Sequence, residues 1–186
     1  MVKNSLINRY LKQSASLFRC ELFIGGDRSL RCLDSKSKLE LLLISESPYE
    51  NDSYNQPYKG RAGKLLNNIL CAINRNKNKE VPILTIFKTN PLNNRNPLKS
   101  EIMEFENLLL KYIQSEKPKL ILALGKIVGK GLIKEDISLN QMRASTYHYH
   151  DIPLRITHDP RSLLANPELK KTAWTDFQWV ESFLNK

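Results

Sequence analysis

The chain predicts an α/β domain: a central, mainly parallel four-stranded sheet with helices on both faces, making three α/β/α layers. Two observations predict it. Four short apolar runs recur along the 186 residues, and each leads toward a segment whose apolar residues fall at helical spacing. Strands that alternate with helices pair in parallel through right-handed crossovers, which places helices on both sides of the sheet.

The first strand is Leu39 to Ile44, a nearly continuous apolar run of the kind buried on both faces of a parallel sheet. A helix follows from about Gly63, with Leu65, Leu66, Ile69, Leu70 and Ile73 on one stripe. The charged connector NRNKNKE leads to the second strand, Val81 to Phe87, which runs into the loop KTNPLNNRNP. Asn96 and Pro97 read as the N-cap and first position of a helix that turns Ile102, Phe105, Leu109, Tyr112 and Ile113 inward; SEKPK ends it. The third strand is Leu120 to Leu124, and Gly125 turns it into a short helix ending near Ile133. After a polar, less regular span comes the fourth strand, Ile152 to Thr157, followed by HDPRSLLANP. Asn166 and Pro167 then open the last helix, with Leu169, Ala173, Phe177 and Val180 at helical spacing. With no internal repeat and no linker, the chain reads as one domain, 1–186, whose residues 1–34 form an N-terminal appendage, a helix or a hairpin.

Composition narrows the function. Apolar residues make up 41% of the chain, without an excess of Gly or Pro, as in a globular protein. No apolar run approaches the roughly 20 residues needed to span a bilayer, so no membrane partner is expected. Three cysteines, Cys20, Cys32 and Cys71, cannot all pair and form no C-x-x-C, which predicts a reduced, cytoplasmic, monomeric protein. The formal charge of +10 comes from Lys and Arg spread through the chain, so the basicity belongs to the folded surface. Such a surface attracts polyanions, nucleic acid above all; a basic but inert surface is the plainer alternative.

In a parallel α/β sheet, ligands bind beyond the carboxyl ends of the strands. The unusual segments all fall there: SESPYENDSYNQPYKGRAG, KTNPLNNRNP, the Gly125 turn and HDPRSLLANP. The first is far longer than a strand-to-helix connection needs, and loops of that length are usually functional or disordered. Together they read as the walls of one cleft. Taken singly, their residues have ordinary explanations. Asn90 can satisfy a turn before Pro91, Tyr58 can be a half-buried loop aromatic, Glu46 can cap backbone N–H groups, and Arg161 can be a solvated charge. The Gly60 to Gly63 turn lacks the G-x-x-x-x-G-K-[ST] and G-x-G-x-x-G spacings of phosphate-binding loops.

In series, these segments resemble the uracil-DNA glycosylase superfamily, nearest its family-four branch. SESPYENDSYNQPYKGRAGKLL is similar to the first motif of that branch, and KTNPLNNRNPLKSEI to its Thr-Asn strand end and following helix start. KPKLILALG is similar to its third strand, and THDPRSLLANPELKKTAWTDF to its last motif, a His-Pro turn followed by Leu-Leu and a capped helix. The resemblance runs from about Leu39 to the C-terminus and implies an enzyme of base excision repair acting on uracil or a related damaged base in single- or double-stranded DNA. By that resemblance Asn90 reads the uracil edge, Tyr58 stacks on the base, and Tyr49 crowds out a thymine methyl. Glu46 falls near the sugar and the hydrolytic water. Lys59, Arg61 and Arg161 fall toward the phosphates, and Leu163 serves as an apolar wedge for the space a flipped base leaves.

Two departures from the pattern stand out. The family-four enzymes hold an iron–sulfur cluster on four cysteines; with three scattered cysteines, this chain is expected to use no cofactor and no metal. Aligned without gaps, the family's catalytic His falls on Asp159, whereas a one-residue insertion places His158 in the role. A second reading follows from SLFRCELF and LLANPELKKTAW, which resemble the psi subunit of the bacterial replicative clamp loader, an inactive protein of the same fold. On that reading residues 1–34 bind replication or repair proteins.

Overall fold

A computed structural model describes residues 23–24, 39–46, 60–75, 81–86 and 96–186. In chain order the elements are β1 (Phe23–Ile24), β2 (Leu41–Ser45), α1 (Arg61–Ala72), β3 (Pro82–Thr85), α2 (Lys99–Glu116), β4 (Leu120–Leu124) and α3 (Lys126–Ile133). They continue with α4 (Leu139–Ala144), β5 (Tyr147–Tyr149), β6 (Ile152–Thr157), α5 (Pro160–Ala165) and α6 (Leu169–Leu184).

The sheet order is β1-β3-β2-β4-β6-β5. The four strands read from the apolar runs are its parallel centre, β3-β2-β4-β6. Among the described residues the sheet has six strands instead of the expected four, because β1 and β5 pair antiparallel at its two edges. Edge strands this short carry too few residues to show a pattern, and β5 is the alternating Tyr147-His148-Tyr149. Of the N-terminal appendage expected over residues 1–34, only Phe23 and Ile24 are described; the rest lies outside the described residues.

The period-2 alternation of the central strands divides the core into two layers. Leu42, Ile44, Leu84, Ile121, Ala123, Leu154 and Ile156 point to one face, where Phe105, Leu109, Tyr112 and Ile113 of α2, Val128 and Leu132 of α3, and Met142 of α4 cover them. Leu41, Leu43, Ile83, Leu120, Leu122 and Leu124 point to the other, covered by Leu66, Leu70 and Ile73 at α1 and by Phe177, Val180 and Leu184 of α6. The α/β/α sandwich is thus built from continuous apolar runs that must be covered on both sides. On the first face Gly129 lets α3 come close: a Cβ there would sit 2.8 Å from the Met142 sulfur and 3.1 Å from Ile156.

At the amino end of the sheet, the buried Arg75 pairs with Glu40 and donates to Asn185 Oδ1 at 2.6 Å, joining the end of α1 to the approach of β2 and the end of α6. Helix starts differ from expectation by two residues. The N-cap of α2 is Leu98, and Glu101 reaches back to its N–H at 2.8 Å, instead of Asn96 and Pro97 opening the helix. Asn166 closes α5 and accepts from the Glu168 N–H at 3.2 Å, so α6 begins at Leu169. Among the described residues, no helix is long and apolar enough to cross a membrane.

Candidate active site

Three parallel strands, β2, β4 and β6, end side by side, and the residues just past them form the described part of the candidate site. Glu46 follows β2, Gly125 follows β4, and His158 and Asp159 follow β6. The strand ends are polar and buried where the runs above are apolar: Ser45 and Thr157 are fully covered and Thr85 nearly so.

Asp159 is the N-cap of α5, and Pro160 stands at the first helical position. Asp159 Oδ1 accepts from the backbone N–H of Arg161 at 2.7 Å and from Arg161 Nε at 3.0 Å, while Oδ2 accepts from Arg161 Nη2 at 3.2 Å. The same Nη2 reaches Glu46 Oε2 at 3.4 Å. One guanidinium therefore joins two carboxylates from β2 and β6, across the end of β4. Gly125 sits at that intervening strand end with φ +96° and ψ 167°, a conformation open essentially to glycine alone, and donates its N–H to the Thr157 carbonyl at 2.8 Å. A Cβ on Gly125 would stand 3.3 Å from the Asp159 Cβ. The Glu46 carboxyl is held above the usual carboxylate range: its burial dominates, the Arg161 charge opposes, and the Asp159 charge adds to the rise.

His158 lies on the other side of the turn. Its ring is buried, with Nε2 3.4 Å from Thr172 Oγ1 on α6. Burial lowers its pKa, the nearby Arg143 charge lowers it further, and Asp176 partly offsets both. The turn thus brings Asp159, not His158, to Glu46. Behind it runs a buried polar network that sequence reasoning missed. Asp176 of α6 accepts from Arg143 Nε at 2.6 Å and Nη2 at 3.1 Å, and from Thr157 Oγ1 at 2.6 Å. Arg155 Nη2 lies 3.9 Å from the same carboxylate, and its guanidinium stacks over Trp179 at 4.6 Å. The alternation of β6 turns Arg155 and Thr157 away from Leu154 and Ile156, toward α6.

Leu163, expected as an apolar wedge, is packed inward in this structure. It is 1% exposed, because α5 forms a helical turn and lays Pro160 and Leu163 inward. Arg61 is exposed at the start of α1, the helix that packs beside α5. Tyr49, Tyr58, Lys59 and Asn90 lie outside the described residues.

The model of the Uracil DNA glycosylase superfamily matches residues 34–179, most of the chain. The chain belongs to the uracil-DNA glycosylase superfamily. Among its relatives, a type-4 uracil-DNA glycosylase of Saccharolobus solfataricus is 31% identical over 161 residues, covering 82% of this chain and 74% of that one. Another, from Sulfurisphaera tokodaii, is 31% identical over 152 residues, covering 77% and 69%. A third, from Archaeoglobus fulgidus, is 23% identical over 158 residues, covering 80% and 79%. The superfamily's family-four branch implies an iron–sulfur cluster, which takes four thiolates. The donor set here does not fit one: the chain has three cysteines, and Cys71 is half-buried within α1.

Proposed function

We propose that this chain is a monofunctional DNA glycosylase that hydrolyses the N-glycosidic bond of uracil or a related damaged pyrimidine in DNA. The observation that carries this reading is the convergence of Glu46, Asp159 and Arg161 past the ends of β2 and β6, around a carboxyl held above its ordinary range. A half-buried carboxylate beside an open strand end is suited to hold the attacking water against the sugar and to take its proton. Its raised pKa makes Glu46 a stronger base than a solvated glutamate, with Arg161 opposing the effect of burial.

The base itself must be rotated out of the duplex to reach this site. Asn90, Tyr58 and Tyr49 are assigned to it by the resemblance of their segments: an amide to read the uracil edge, one ring to stack, and one to exclude a 5-methyl group. Lys59 and Arg61 would bind the flanking phosphates, in keeping with a chain of net charge +10. The test is release of free base from uracil-containing single- and double-stranded oligonucleotides by wild type, Glu46→Gln and Asn90→Ala. Release by wild type that falls in both variants supports the reading. A wild-type protein that releases no base overturns it, and co-purification with replication proteins would then favour the inactive, psi-like alternative.

A further inference from the structure

Expelling a nucleobase breaks the C1′–N1 bond, and the electron pair leaves on N1, spreading onto the neighbouring carbonyl oxygens. A site that performs this step needs a hydrogen-bond donor fixed where that oxygen becomes anionic. Asp159 cannot serve, because a carboxylate at neutral pH only accepts hydrogen bonds. The His158 ring is buried, with Nε2 against the Thr172 hydroxyl of α6.

We propose that Arg161, gripped by Asp159, is the donor to the departing base, an assignment that rests on the glycosylase reading above. Asp159 fixes the guanidinium through Nε and Nη2 and fixes the backbone of the same residue through its N–H, so the plane of the fork is set at the start of α5. Nη2 also reaches Glu46, which puts the cation beside the carboxylate that handles water. A guanidinium stays protonated throughout the working pH range, so its donation needs no titration. Its side chain is 34% exposed, against 8% for Asp159, so the cation is partly open to solvent while its anchor is covered. In the step, the water oxygen bonds to C1′ and its proton passes to Glu46. The base departs as the N1 anion against Arg161 and then takes a proton from solvent. The products are an abasic sugar and the free base.

Single-turnover base release from a uracil-containing oligonucleotide tests this with Arg161→Gln, Arg161→Lys and His158→Gln, each checked by circular dichroism. Arg161→Gln should lower the rate by about 100-fold or more, as removal of one donor to a developing anion does, and His158→Gln by less than about tenfold. Arg161→Lys, which keeps the charge but not the fork, should fall between wild type and Arg161→Gln. A folded Arg161→Gln within about threefold of wild type, or a larger loss in His158→Gln, overturns the assignment. A second readout separates it from the glycosylase reading: fluorine NMR titration of 5-fluorouracil bound to the protein. Wild type should shift ionisation of the base to lower pH, and Arg161→Gln should not. If wild type releases no base, the glycosylase reading fails while this titration still decides the contact. Equal shifts in both proteins, or no binding of 5-fluorouracil to wild type, overturn it.

Discussion

Asp176→Ala is the substitution whose cost the structure specifies most fully. The carboxylate is buried and accepts three hydrogen bonds, two from Arg143 and one from Thr157, with Arg155 3.9 Å away. Removing it leaves two cations, whose side chains are 13% and 11% exposed, without their shared anion. Arg155 is already short of partners, since its Nε is buried with none. Breaking a buried pair from one side costs about 3–5 kcal/mol, because the remaining charge stays desolvated. For a chain of this size each kcal/mol moves the melting temperature by about 2–4 °C, so the midpoint should fall by roughly 6–20 °C. Urea unfolding followed by circular dichroism measures the free energy. Thr157→Val in both backgrounds then completes a cycle in which the hydroxyl matters only while Asp176 is present. A loss below about 1 kcal/mol for Asp176→Ala, within the range of a surface ion pair, would refute the reasoning.

Further outcomes follow from the same geometry. Gly125→Ala forces a side chain into a conformation kept for glycine and against Asp159, at a cost of about 1–3 kcal/mol by urea unfolding, with base release falling as the Asp159 turn shifts. Glu46 works ionised, and its folded-state pKa is raised, so the acidic limb of single-turnover base release should lie above the ordinary carboxylate range. Arg161→Gln, which removes a lowering influence, should move that limb up, and Asp159→Asn, which removes a raising one, should move it down; shifts of the opposite sign exclude Glu46 as the titrating group. Since burial disfavours the ionised form, Glu46→Gln should gain stability relative to wild type as pH rises through that same range, read from melting curves across pH. Arg61→Ala should weaken DNA binding and reduce the slope of log affinity against log salt by about 1, measured by fluorescence anisotropy.

Much of this arrangement is legible in the amino-acid sequence, and the parts that are not have physical causes. The four parallel strands announce themselves because strands buried on both faces must be apolar throughout, as Leu41 to Ile44 and Leu120 to Leu124 are. The helices α4 and α5 escape notice because six residues are too few to show a stripe, yet both carry start signals. Ser138 and Gln141 form a capping box, and Asp159-Pro160 is an N-cap followed by a proline. Glu46, Asp159 and Arg161 are each visible as cleft residues, but that one guanidinium joins both carboxylates depends on three strands ending in register, which spacing along a chain does not encode. The Arg143–Asp176–Thr157 network is more remote still. It needs the pleat of β6 and the facing turn of α6 to be known together, and each residue alone reads as a solvated charge or a strand threonine.

The central claim is that Glu46, braced by Arg161 and Asp159, is where a base is cut from DNA. Single-turnover release of free uracil from a uracil-containing oligonucleotide, wild type against Glu46→Gln, measures it most directly. The account predicts release by wild type and a rate at least about 100-fold lower for a folded Glu46→Gln. Equal rates for the two proteins would contradict it.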